Sequence, residues 1–183
     1  MRAMFAAAAC LAVAASPIAG ALAQPAAGGD IASKIVNDPG APEVQGAKAS
    51  LRDDPVVQGG KALRIEVPRK GANTWDSTVG GAIKKPVKAG DTLLLAFYAR
   101  LERGENGATK TVLPFAGVQL VDAPWTPLFQ EPVEIGPEWK LLKVKGKVDK
   151  SYAAGKLKVT VQLATAKQAV DIGPLIVLNQ GPE

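Results

Sequence analysis

From about Lys34 onward, apolar and polar residues alternate with a period of two, the pattern of strands that bury one face. Leu63, Ile65 and Val67 share one side, while Arg64 and Glu66 take the other. Residues 92–101 place Leu93, Leu95, Phe97, Ala99 and Leu101 on one side and Leu94, Ala96, Tyr98 and Arg100 on the opposite side. A strand that is nearly apolar on both faces belongs in the middle of its sheet. Leu157, Val159, Val161 and Leu163 alternate with Lys158, Thr160, Gln162 and Ala164; Val170 and Ile172 flank Asp171, and residues 175–178 form a last apolar run. Between the runs stand turn signals: Gln58-Gly59-Gly60, Lys88-Ala89-Gly90-Asp91, Gly104-Glu105-Asn106-Gly107, Gly136-Pro137 and Ala153-Ala154-Gly155. No window of about a dozen residues carries the helical period. The pattern predicts an all-β, two-sheet sandwich of about eight or nine strands in a single domain over residues 34–183, with no internal repeat.

The amino terminus reads differently. Arg2 precedes an apolar run from Ala3 to Ala15, and Ala21-Leu22-Ala23 supplies a small-x-small cleavage pattern before Gln24, so residues 1–23 are expected to be a secretory signal peptide. The run is too short to span a bilayer, and no later stretch reaches the ~20 apolar residues that a span requires. Residues 24–33, rich in Ala, Gly and Pro, read as a flexible lead-in. A periplasmic or secreted location follows as the expectation.

Composition then narrows the chemistry. The chain has no histidine and one cysteine, Cys10, which falls inside the signal. Ser-His-Asp and Cys-His units, His-ligated zinc and an intramolecular disulfide are thereby excluded. The net charge of +5 is spread along the chain with no basic block, so nucleic acid is not indicated. Acid–base catalysis would fall to carboxylates. The clustered Glu131, Glu134 and Glu138 read better as a solvated strand edge, with Glu131 on the side of Val133 and Ile135 and Glu134 opposite. Enzymatic activity is not expected, and any hydrolysis of glycosyl bonds would be by association. Lys140, Lys143, Lys145, Lys147 and Lys150 read as a solvated outer strand, where lysines oppose edge-to-edge pairing; attraction to an acidic polysaccharide is the alternative.

Five segments in order carry a resemblance: Gly60-Lys61-Ala62-Leu63-Arg64-Ile65, Asn73-Thr74-Trp75-Asp76, Ala89-Gly90-Asp91-Thr92 leading into Ala96-Phe97-Tyr98-Ala99-Arg100, Gly136-Pro137-Glu138-Trp139-Lys140, and Val161-Gln162-Leu163. Together they resemble carbohydrate-binding modules of families 4, 9 and 22, the cellulose- and xylan-binding type. The resemblance covers about residues 45–180. It implies a jelly-roll sandwich of the galactose-binding-like class, a polysaccharide or oligosaccharide ligand held in a groove on one sheet, and a glycanase or sugar-uptake partner. It also brings in a structural calcium, built elsewhere from an Asn-rich turn and adjacent late acidic residues. Here Ile35-Val36-Asn37-Asp38-Pro39-Gly40 echoes that turn only faintly, and the late segment reads Asp171-Ile172-Gly173-Pro174, so no cofactor is expected.

Sugar recognition needs a flat apolar surface for C–H faces, together with amides, carboxylates and guanidinium groups for hydroxyls. Trp75 beside Asp76, and Trp125 in the proline-bracketed Asp122-Ala123-Pro124-Trp125-Thr126-Pro127, are the candidate platforms. Trp139 is expected in the core between the sheets. By parity, Tyr98, Arg100, Gln119 and Gln162 point outward and are expected to line one groove; the other reading of Arg100 is an ion pair with Glu102 or Glu66. A structural or protein-interaction sandwich without sugar binding is the competing function.

Overall fold

A computed structural model of the protein describes residues 27–182. The signal peptide expected at residues 1–23, with Cys10 inside it, lies outside the described residues. The lead-in is not flexible throughout: Ala27–Lys34 forms a short helix, α1, that ends on a lysine and packs against the last strand. A C-terminal cation suits the helix dipole, and the packing supplies what alanine and glycine alone would not.

Eleven strands follow, more than the alternation predicts because the short ones are too brief to show a period. They are β1 (Glu43–Gln45), β2 (Lys48–Asp53), β3 (Lys61–Val67), β4 (Thr78–Ala82), β5 (Asp91–Arg103), β6 (Thr111–Leu120), β7 (Pro127–Ile135), β8 (Lys140–Lys147), β9 (Leu157–Gln162), β10 (Gln168–Ile172) and β11 (Ile176–Pro182). Two antiparallel sheets form. The first runs β1-β4-β9-β6-β7. In the second, β2-β3-β10-β5 continues to β8, and β11 joins β5 ahead of β10. This is the expected jelly-roll sandwich, and β5, apolar on both faces, is indeed central to its sheet.

Alternation explains the layer between the sheets. Leu93, Leu95, Phe97, Ala99 and Leu101 of β5 are buried with Ile65 and Val67 of β3, Val170 and Ile172 of β10, Leu113, Ala116 and Val118 of β6, and Val159 and Val161 of β9. Removing Phe97 to alanine in such a layer costs about 3–5 kcal/mol. The lysine-bearing β8 lies at the sheet edge, as the pattern predicts, with Lys143 and Lys145 outward and Leu142 and Val144 inward. On β7 the alternation slips. Register shifts in the β6–β7 ladder separate Glu131 from Val133 and Ile135, leaving Glu131 exposed while those two are buried.

The segment between α1 and β1 is pinned across the sandwich by backbone hydrogen bonds of Val36 and by one buried side chain. Asn37, buried, donates Nδ2 to the Leu175 carbonyl at 2.8 Å and accepts the Val177 N–H on Oδ1 at 2.9 Å. Removing this amide leaves two buried backbone groups without partners, at about 1–3 kcal/mol each before relaxation. Asn37→Ala is therefore expected to lower stability by about 2–4 kcal/mol in urea denaturation. A midpoint equal to that of the parent protein would show that the segment is not pinned this way.

Candidate functional site

The outward faces of the two sheets differ in character, and the sequence-predicted residues divide between them. Tyr98 and Arg100 stand on β5 of the second sheet, whereas Gln119 and Gln162 stand on β6 and β9 of the first. The single groove expected from parity does not exist, because parity gives the side of a strand but not the sheet to which the strand belongs.

On the second sheet, Arg64, Asp171 and Arg100 are direct neighbours across β3, β10 and β5. Asp171 is buried and takes both guanidinium groups. Arg64 donates Nε at 2.7 Å and Nη2 at 2.9 Å, and Arg100 donates Nε at 3.0 Å and Nη2 at 2.8 Å. Glu102 adds an ion pair to Arg64 at 2.9 Å and one to Arg100 at 3.6 Å. Arg100 thus pairs mainly with Asp171, and with Glu102 but not with Glu66. Trp139 is not in the core. Its ring, half-buried, lies 4.9 Å from the Arg100 guanidinium carbon, and Nε1 donates to Asp54 at 3.1 Å. The Gly136-Pro137 turn delivers it onto the outer face instead of between the sheets. Arg100 is occupied on both sides, so the centre of this face is closed by the protein's own side chains; a hollow of about 350 Å³ remains at its β2–β3 end, lined by Lys48, Glu66, Arg103 and Lys167 among others.

On the first sheet the floor is low. Gly80 of β4 and Gly117 of β6 flank Thr160 of β9 in one cross-strand row. A side chain at Gly80 would meet the Val159 carbonyl oxygen at 2.1 Å, and one at Gly117 would meet that of Phe129 at 2.1 Å, so only glycine fits either place. Over β1, β4 and β9, with Gly80 in its floor, runs a groove of about 290 Å³ lined by Glu43, Gln45, Thr78, Lys158 and Thr160 among others. Gln45, Thr78 and Gln162 form the next row. Gln162 accepts the Thr74 hydroxyl on Oε1, which leaves its NH₂ without a protein partner among the described residues; Gln119 likewise has none, but it is buried and does not line the groove.

Both candidate tryptophans belong to loops of this sheet. Trp75 lies in a single 3₁₀ turn, Thr74–Asp76, directly before β4, and is 61% exposed. Asp76 is used in holding that turn: its Oδ2 accepts the Asn73 N–H at 3.0 Å, and Asn73 caps in return. The backbone hydrogen bond from Asn73, then its side-chain amide, hold the Asp76 carboxyl below the ordinary carboxylate range, against a weaker opposing effect of burial. Asp76 therefore positions Trp75. Trp125, at φ +53° and 58% exposed, sits in the β6–β7 loop. That loop leaves β6 at Leu120, opposite Leu157, and Val121 lines the groove at the same end. The two loops therefore bracket the groove strands from opposite ends. Alternation could have picked out Thr160 and Lys158; Gln45, Thr78 and the two glycines carry no signal without the strand order.

Comparison with solved structures places this architecture. A family 4 carbohydrate-binding module superposes with a TM-score of 0.60 at 14% identity, over 76% of this chain and 94% of the other. The family 22 module CBM22-1, a xylan-binding domain from Paenibacillus barcinonensis Xyn10C, gives 0.53 at 14% identity, over 75% and 85%. The fold is that of a carbohydrate-binding module. A third similar structure, the CBM22-1–GH10 modules of Clostridium thermocellum endo-1,4-β-D-xylanase 10B complexed with xylohexaose, gives 0.51 at 9% identity, over 76% of this chain and 26% of that one. No family model matches the chain, and no curated protein matches it in sequence.

The residues that echo the calcium-binding turn of the resemblance are engaged by the protein itself. The Asn37 amide is occupied on both atoms, Asp38 Oδ1 accepts the Gly40 N–H at 3.0 Å, and Gly173-Pro174 offers no side-chain oxygen. Among the described residues, no three His, Cys, Asp or Glu side chains converge as a metal site.

The closed face makes an acid-sensitivity prediction. Burial alone would raise the Asp171 carboxyl, but hydrogen bonds and charge from Arg64 and Arg100 outweigh it and hold the carboxyl below its ordinary value. A depressed folded-state value stabilises above the unfolded-state pKa of about 4 and is lost as pH falls through the folded one. Asp171→Asn should cost about 2–4 kcal/mol at pH 7, below the full buried-pair range because Arg100 keeps 28% exposure. In urea denaturation the gap to the parent protein should narrow from pH 4 to pH 2; a gap independent of pH would contradict the assignment.

Proposed function

We propose that this protein is an exported, non-catalytic glycan-binding module, and that its ligand lies along the outer face of the β1-β4-β9-β6-β7 sheet. The observation that carries the reading is the glycine-lowered groove. Its floor is near backbone level, an exposed tryptophan stands on a braced turn at one end, and Gln45 lines it, with the Gln162 amide in the same cross-strand row. A sugar ring needs this combination: an apolar plane for its C–H face and fixed polar groups for its hydroxyls. The fold shared with family 4 and family 22 modules supports the choice, and the xylan-binding and xylohexaose-complexed neighbours make β-linked plant polysaccharide the first class to try. Export rests on the leader pattern of residues 1–23. A glycanase or a sugar-uptake system is the partner this function would serve, by analogy with the neighbour joined to a GH10 module.

The binding role divides unevenly among the sequence candidates. Trp75, Gln162 and Trp125 belong to the open face; Gln119, on the same sheet, is buried; Asp76 braces Trp75; Tyr98 and Arg100 belong to the closed face and serve stability. Isothermal titration with xylo-, gluco- and pectic oligosaccharides should show binding to at least one. Trp75→Ala is expected to weaken it at least about ten-fold, equivalent to about 1.4 kcal/mol, with an unchanged melting temperature because the side chain is exposed. Heat from none of the three classes, or an unaffected Trp75→Ala protein, would favour the alternative of a protein-interaction sandwich.

A further inference from the structure

The groove floor holds one cation, and that cation is unpaired. Lys158 stands on β9 between Ala82 of β4 and Gln119 of β6, points outward by the alternation that buries Leu157 and Val159, and lines the groove half-buried. Some cations elsewhere on the sandwich have acidic partners: Arg64 and Arg100 have Asp171, Lys61 has Asp53, Lys110 has Glu134 and Lys156 has Asp122; others, Lys143 among them, have none among the described residues, and what sets Lys158 apart is its place in the groove. Among the described residues, no hydrogen bond or ion pair reaches Lys158.

Glu43 is the acid of the groove, on β1 opposite Gly80, two strands across and two residues along from Lys158. Strand spacing and rise put their Cα atoms about 12 Å apart, and no ion pair joins them in this structure. Asp122, at the Trp125 end, is engaged by Lys156 at 3.4 Å. Lys158 is half-buried as a residue, beside a floor of glycine and threonine, and has no counter-ion among the described residues.

We propose that Lys158 determines the specificity of the groove, and that the glycan bound there carries a hexuronate carboxylate that pairs with Lys158 Nζ. This rests on the glycan-binding reading above and names the substrate class of that same site. A carboxylate forms a charge-assisted hydrogen bond with the ammonium, whereas a hydroxyl forms only an ion–dipole one. Glu43 on the opposite wall repels acid there, so the carboxylate is confined to the Lys158 side and neutral hydroxyls meet β1. The chain's net charge of +5 favours approach of an acidic polymer, an effect that salt screens.

The test compares matched pairs: a glucuronate-branched xylo-oligosaccharide and a galacturonan oligosaccharide, each beside its carboxyl-reduced form, titrated calorimetrically at low and at physiological salt. The expected result is that at least one acidic form binds about ten-fold or more tightly than its reduced partner. Lys158→Gln should collapse that ratio towards one, and Lys158→Arg should preserve it. Lys143→Gln, on β8 of the other sheet, should leave the ratio in place. Equal binding of acidic and reduced forms would overturn the proposal while leaving the glycan-binding reading intact. A ratio reduced as much by Lys143→Gln as by Lys158→Gln would also overturn it, by showing attraction to overall charge. Binding of neither form in either pair, with the neutral oligosaccharides of the preceding test also silent, would remove both readings.

Discussion

Between the sheets, Leu95, Phe97 and Ala99 of β5 share one buried cluster with Val118 of β6 and with Val159 and Val161 of β9, and this layer commits the inward side of every long strand. Hydrophobic burial is non-directional and fixes no particular outer surface. It does require that each strand keep its alternation, since a shift of one residue would turn the apolar set outward. Everything outside the layer is consequently free to differ between the sheets, and it does. One outer face is tied shut by ions and an aromatic ring, while the other is left open and low.

The closed face shows how a polar cluster can serve the fold. Asp171 sits between two arginines on adjacent strands, and the Trp139–Asp54 hydrogen bond draws two loops over the same spot. A buried ion network is weak evidence of net stabilisation, but it fixes register, because a slipped β10 would leave three charges without partners. Rigidity on this side leaves the opposite sheet as a firm base for loops that carry exposed tryptophans.

Much of the fold was legible in the sequence because it is a property of single strands. Period-two runs at Leu63–Val67, along β5 and along β9 identify strands and their buried sides, and the apolar outer residues of β5 announce its central place. What was not legible depends on pairs of strands. Tyr98, Arg100, Gln119 and Gln162 all point outward, as read, yet β5 and β6 belong to different sheets, and nothing local says so. Trp139 looked like a core residue because large aromatics usually are; its exposure is decided by a Gly-Pro turn and by the Arg100 guanidinium beneath it. Gln45 and Thr78 became part of the groove only through the pairing of β1 with β4. α1 was missed because two turns rich in alanine and glycine show no period, and its stability comes from β11.

Gly80 and Gly117 have a longer-term consequence. A groove lined by side chains can be filled by a single enlarging substitution, but at these two positions any larger residue would strike a neighbouring carbonyl and disturb the sheet itself. The vacancy over the floor is therefore protected by the fold's own integrity. Substitutions at Trp75, Trp125, Gln45 or Lys158 would change the rim and lining of the trough without touching that floor, whereas filling it at Gly80 would have to displace the strands themselves.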